Sequence, residues 1–238
     1  MRIRLVLVLP LVLALGCRTN RGPQVPSAKA YGAQIVEISG GKQMTAVGSM
    51  LPQPVVVQVN GSDGNPATGA LVTFRGEGLE FSPAAALSDS SGQVTTSVQL
   101  GFNAGDYQIV AETPKHGGGA ASLSLREIAL GYEATLGRTL NEQYCIRCHD
   151  PESTPERVSN MDNLSPAPHQ FSDGATYNRL PDIDLVNLIS HGGLSAGKSA
   201  QMPPYSSTLT PAEIRALLTY IRAIADPPYQ PSGVKYEK

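Results

Sequence analysis

The sequence predicts two domains of different class, an all-β sandwich followed by an all-α domain. Three observations predict it. Residues 31–127 hold short β-branched runs separated by Asn/Asp/Gly/Pro turns, with no helical period. Residues 128–227 switch to apolar residues spaced three and four apart, with recognisable helix caps. A chain of 238 residues has length for two modest domains, and 24 Gly and 19 Pro with no Trp suit strands, loops and a small helical part rather than one large α/β core. With a net charge of −2 and only 16% charged residues, the chain lacks the basic stripe of a nucleic-acid binder.

Residues 1–17 read as an export signal. Arg2 and Arg4 form a basic head, and Leu5 to Leu15 is an apolar run broken only by Pro10. The run is shorter than the about 20 residues that a membrane-spanning helix needs. Ala14-Leu15-Gly16-Cys17 resembles a bacterial lipobox, although Ala14 stands where that pattern usually has Leu. The resemblance implies lipidation of Cys17, and Arg18 in place of Asp implies sorting to the outer membrane, facing the periplasm or the cell surface. The alternative is an ordinary signal peptide with an incidental Cys. Residues 18–30 are polar and contain Gly and Pro, as expected of a flexible tether.

In residues 31–127, Pro54 to Val59 is a β-branched run followed by the dense turn signal Asn60 to Pro66. Leu71 to Phe74 forms a second predicted strand, Asp89 to Gly92 another turn, and Val94 to Leu100 a third strand. Gly105-Asp106 leads into Tyr107 to Ala111. The order Val57-x-Val59, Asp63-Gly64-x-Pro66, Gly69-Ala70-x-Val72-x-Phe74, Asp89-x-x-Gly92 and Gly105-x-Tyr107-x-Ile109-x-Ala111 resembles the bacterial Ig-like domains of invasin and intimin surface proteins. That resemblance implies a β-sandwich and says little of function, because such sandwiches host many roles. His116, before a Gly-Gly-Gly run, is expected in an exposed hairpin loop.

In residues 128–227, Glu133 to Tyr144 fits a helix with Leu136 and Leu140 on one face. A second helix starts after Leu180-Pro181 with Asp182 as N-cap, carries Ile183, Leu185, Val186, Leu188 and Ile189, and stops at Gly192-Gly193. A third starts at the capping box Thr210-Pro211-Ala212-Glu213 and buries Ile214, Leu217, Leu218 and Ile221. Three short helices with long connections make a poor core, so a large apolar cofactor is expected to supply the interior. Residues 228–238 form a tail.

Cys145-Ile146-Arg147-Cys148-His149 is the C-x-x-C-H haem-attachment motif. Two thiols three residues apart at a helix end each reach one vinyl group of a haem, and the next His lies under the iron as an axial ligand. A thioredoxin-type redox pair would need a surrounding α/β unit, and a zinc site a second Cys pair. Neither is present in the sequence. The assignment also uses every cysteine, Cys17 for lipid and two for one covalent haem c, leaving none for a disulfide.

The second iron ligand must come from elsewhere. Met202, in Gln201-Met202-Pro203-Pro204-Tyr205, is the favoured candidate and His191 the runner-up, ahead of His169 and Met161. From the motif onward the region resembles a monohaem class I cytochrome c domain over about a hundred residues. In that family a Met-Pro-Pro turn before the last helix presents the axial Met, and a neutral thioether favours reduced iron. The resemblance also implies a close helix crossing at Gly137 against Tyr220, with Leu140 at an apolar position. Asn141 departs from the family's usual aromatic, with Tyr144 a potential substitute. It further implies a Pro carbonyl holding the other nitrogen of the axial His, for which Pro155 and Pro166 are both candidates. The loop from Asp150 to Asp173 is expected to cover part of the haem edge.

The expected function is outer-sphere electron transfer by an envelope-anchored carrier, with the sandwich as spacer or docking module. Redox proteins are the expected partners, the membrane is reached through the N-terminal lipid, and no catalytic residue, small-molecule substrate or nucleic acid is expected. Two other classes stand beside it. One is a haem enzyme or ligand sensor with an open or labile sixth position; the other is a surface interaction module with an accessory haem.

Overall fold

The structure, a computed structural model, describes residues 26–152 and 157–231, so the export signal, Cys17 and Pro155 lie outside the described residues. Among the described residues, nine strands form two sheets. Strands β1 (Gln34–Ser39), β3 (Val55–Asn60), β7 (Gln93–Gln99) and β5 (Glu80–Ser82) are ordered β1-β3-β7-β5. Strands β2 (Met44–Ala46), β9 (Ala120–Leu130), β8 (Gly105–Pro114), β4 (Leu71–Arg75) and β6 (Ala85–Leu87) are ordered β2-β9-β8-β4-β6. The β2–β9 pair is parallel and the other pairs are antiparallel.

The period-2 pattern explains the packing. Val55, Val57 and Val59 of β3 and Val94 and Val98 of β7 face Val72 and Phe74 of β4 and Ile109 and Ala111 of β8 in one apolar core between the sheets. Thr96, the polar member of the inward row, donates its hydroxyl to the Pro83 carbonyl at 2.8 Å. The β8–β9 hairpin carries His116 at its turn, edge-on to Tyr31.

Helices follow one residue after β9. They are α1 (Tyr132–Tyr144), α2 (Ile146–His149), α3 (Gly174–Tyr177), α4 (Asp182–His191) and α5 (Pro211–Ile224), with 3-10 turns at Met161–Asn163 and Gly193–Ala196. The capping box of α5 is present on both sides: Glu213 N–H donates to the Thr210 hydroxyl, and Glu213 accepts from Thr210 N–H at 2.7 Å. Ile214, Leu217, Leu218 and Ile221 are all buried, as their spacing predicts.

Helix α1 crosses α5 at Gly137, where an added Cβ would fall on the Ala216 carbonyl oxygen and 2.7 Å from the Tyr220 Cβ. Leu140 is buried, but Leu136, expected on the same face, is 36% exposed. The buried face of α1 is made of Ala134, Gly137, Leu140 and Asn141, which turns Leu136 outward. Pro181 rather than Asp182 holds the N-cap position of α4. The Asp182 carboxylate instead pairs with Arg222 of α5 at 2.7 Å. Ile183, in the exposed first turn, is 63% exposed, while Leu185 and Ile189 face inward.

Strand β9 runs through the 127/128 position at which the sequence reading divides the chain. Its side chains alternate between two interiors. Leu125 and Ala129 belong to the sandwich core, whereas Ile128 and Leu130 belong to the apolar cluster of the helices. Arg138 of α1 donates to the Met44 carbonyl at 3.0 Å, and Arg126 of β9 to the Ala225 carbonyl at 3.3 Å, tying the β-rich and helical regions together.

Candidate haem site

Helix α1 ends at Cys145, and the chain turns at once into α2, with the amide N–H groups of Cys148 and His149 both bonded to the Cys145 carbonyl at 3.0 Å. This tight turn sets Cys145, Cys148 and His149 on one wall of a cavity of about 640 Å³, within the usual range of cofactor sites. Helices α4 and α5 supply Leu188, Ile189, Leu217 and Ile221 to its apolar walls. The loop after α2 closes another side with Leu164, Pro166, Pro168 and Phe171, where the sequence places a cover.

His149 is held by its surroundings. Its Nδ1 lies 2.7 Å from the His169 carbonyl oxygen, which can only accept, so Nδ1 carries the proton and the lone pair is on Nε2. Burial pushes its pKa down and so favours the neutral imidazole that a metal ligand must be. The ring stacks on Phe171 at 4.4 Å between centroids, and Phe171 meets Tyr177 edge-on at 5.6 Å. Tyr177 donates its phenol to the same His169 carbonyl at 3.2 Å. The acceptor is thus His169 and not Pro166, which lines the cavity; the other candidate, Pro155, lies outside the described residues.

Cys145 and Cys148 are not joined in a disulfide. Burial pushes the Cys145 pKa up to about 12, so the sulfur stays protonated at neutral pH.

Met202 lines the same cavity as His149, and its backbone is pinned. Gly193 N–H donates to the Met202 carbonyl at 3.0 Å, and Gly192 (φ +78°) passes so close that a Cβ would sit 2.8 Å from that oxygen. Downstream, Tyr205 donates to the Tyr144 carbonyl at 3.0 Å, and their rings meet at 66°. The segment carrying Met202 is thus tied to the end of α1.

The other candidates stand elsewhere. His191 is exposed, does not line the cavity, and has its Nδ1 3.1 Å from the Asn187 carbonyl in the last turn of α4. The His169 ring pairs with Asp173 at 3.0 Å, so its contribution to His149 is the backbone oxygen. Met161 lies in a 3-10 turn and does not line this cavity. Sequence reasoning missed Phe171 and Tyr177. The available signal was two aromatic residues in a polar stretch of a chain with only four Phe and nine Tyr.

The family model for cytochrome c oxidase, cbb3-type, subunit III matches residues 133–221, a stretch containing Cys145, Cys148, His149, His191 and Met202. No curated protein matches the chain. Among solved structures, the D00-D0 domain of intimin is 15% identical, with a TM-score of 0.32, covering 43% of this chain and 50% of that one. S-layer protein SbsC domains 4 and 5 are 14% identical, with a TM-score of 0.31, covering 41% of this chain and 51% of that one. The chain thus spans about half the length of these structures. The helical region that follows the β-rich region overlaps the match to cytochrome c oxidase, cbb3-type, subunit III.

Proposed function

We propose that this chain is a monohaem c-type cytochrome and that it carries electrons. One observation carries the reading: Cys145, Cys148, His149 and Met202 line a single apolar cavity in which His149 already uses its Nδ1. This donor set fits a covalently held haem. Cys145 and Cys148 would hold the group through thioether bonds to its two vinyl substituents, an addition in which each thiol hydrogen goes to the neighbouring vinyl carbon and no oxidant is needed. His149 Nε2 and the Met202 sulfur would be the iron's protein donors, His149 oriented by the His169 carbonyl and Met202 by the Gly192-Gly193 turn. When bound, haem supplies an iron that gains and loses one electron. Met202 lining the same cavity as His149 supplies a second iron donor, which favours a carrier over an enzyme or sensor.

The family match favours one refinement, that the carrier serves a larger oxidase-type complex. The membrane reading is proposed on Cys17 and the export signal alone, with the β-rich region acting as spacer or docking module between anchor and redox site. The test is to purify the full chain from a host that attaches haem. The mass should include one porphyrin, and the visible spectrum should be six-coordinate and low-spin. Met202→Ala should turn the oxidised spectrum high-spin, and His191→Ala should leave it unchanged. A colourless protein without porphyrin mass overturns the proposal. A lipid mass on Cys17, lost with release from membranes in Cys17→Ala, tests the anchor.

A further inference from the structure

The walls of the cavity carry an unbalanced charge. Among the described residues no Asp or Glu lines it, yet Arg179 and Lys198 do. Neither cation is in an ion pair among the described residues. Both side chains are exposed, so they stand where an otherwise apolar cavity opens to water. Thr176, Ser199 and Gln201 line the cavity beside them. An apolar cavity that ends in unpaired cations fits a ligand that is apolar over most of its area and anionic at one edge.

The backbone under each cation is fixed. Arg222 of α5 donates to the Tyr177 carbonyl at 2.7 Å and to the Leu180 carbonyl at 2.6 Å, clamping both sides of the turn that carries Arg179. Arg222 is itself occupied by Asp182 at 2.7 Å and stacks on Tyr229 at 4.0 Å, so it is not the free cation. Lys198 N–H donates to the Gly193 carbonyl at 2.8 Å, and Gly193 N–H donates in turn to the Met202 carbonyl. The Lys198 ammonium therefore projects from the same turn that presents Met202.

We propose that Arg179 and Lys198 are the counter-charges for the two haem carboxylates, an inference that rests on the haem reading above. Arg179 brings a planar fork suited to a carboxylate, and Lys198 a point charge. Two positive charges beside the carboxylates also disfavour the ferric form, so they raise the reduction potential.

The test uses the full haem-bearing chain with Arg179→Gln, Lys198→Gln and the double variant. Arg179→Lys serves as rescue, and Lys115→Gln, on the far β8–β9 hairpin, as a generic charge control. Covalent haem is read by mass, the midpoint potential by spectroelectrochemistry, and the carboxylates by the propionate bending bands in resonance Raman spectra. All variants should keep covalent haem. Each Gln variant should lower the potential and move the bending bands, the double variant should show the sum, and Arg179→Lys should restore most of its share. Lys115→Gln should change neither readout. A wild-type chain without haem overturns this inference together with the haem reading. A haem-bearing chain whose double variant matches wild type, or shifts only as much as Lys115→Gln, overturns this inference alone.

Discussion

The Nδ1–H of His149 is donated to the carbonyl oxygen of His169 across 2.7 Å. Tyr177 donates its hydroxyl to the same oxygen at 3.2 Å, so one carbonyl serves two donors. Each donor withdraws electron density that the other would otherwise draw on. Tyr177→Phe leaves the carbonyl entirely to His149, makes the imidazole a more basic ligand and stabilises ferric iron. The expected outcome is a lower midpoint potential with an unchanged ligand set, and a stability loss of roughly 0.5–1.5 kcal/mol for one hydrogen bond. Spectroelectrochemistry and denaturant titration of the haem-bearing chain read the two effects, and a raised potential would refute the shared-acceptor account.

The crossing of α1 and α5 depends on a missing side chain. A Cβ at Gly137 would fall on the Ala216 carbonyl oxygen, which is backbone and cannot rotate away. Gly137→Ala must push the helices apart, opening the cavity that Leu217 and Ile221 of α5 help to line. Overpacking of this kind costs about 1–3 kcal/mol, occasionally more. We expect a lower thermal midpoint and reduced haem yield, measured by calorimetry and pyridine haemochrome content. Gly137→Ala at wild-type stability would show that the crossing is loose.

Glu127 is the buried carboxylate of the β-rich region. It accepts from Gln43 N–H at 2.6 Å, while its other oxygen, among the described residues, has no partner. Burial is the first cause that pushes its pKa up, to about 7; the backbone bonds from Gln43 and Lys42 oppose the shift, and the nearby Glu37 carboxylate adds to it. The folded state thus holds a proton that the unfolded chain releases in the ordinary carboxylate range. Stability is fully present below that range and falls as pH rises towards 7, by at most about 1.4 kcal/mol per pH unit. Glu127→Gln should remove this slope and be more stable than wild type above pH 7. Parallel stability–pH curves for the two proteins between pH 4.5 and 8 would count against it.

Much of this was legible in the chain. The α5 cap and stripe were, because a capping box and a 3.6-residue period are local signals, and so were β3, β4 and β7, whose alternate residues face one core. Strands β2, β5 and β6 were not, because three residues carry no period. Strand β9 was hidden for another reason. Its last four residues, Glu127 to Leu130, are all buried because two interiors claim opposite faces, so alternation disappears. At the candidate site, Cys145, Cys148 and His149 were singled out by the spacing of one motif, and Met202 by the resemblance of its Met-Pro-Pro turn to that of class I cytochromes c. The partner of His149 did not, because every residue offers a carbonyl and only the path of the loop selects that of His169.

The sharing of β9 between two cores predicts that the helical region depends on the sandwich. Ile128 and Leu130 sit in the helical cluster, yet their backbone is held by β2, with Met44 opposite Ile128 and Ala46 opposite Leu130. Met44 also packs on that cluster, and its sulfur accepts from the Tyr220 hydroxyl at 3.7 Å. A fragment starting at residue 128 keeps the two apolar side chains but loses the strands that aim them. It should carry haem and melt well below the full chain. Leu130→Ala in the full chain isolates the packing part, with an expected cost of about 2–5 kcal/mol for a buried leucine. Its effect should appear in the haem-reported melt as well as in the β-sheet signal, because the same side chain closes the helical core. If the fragment melts with the full chain, or if Leu130→Ala moves only the sheet signal, the two regions are energetically independent and the shared strand is no more than a connection.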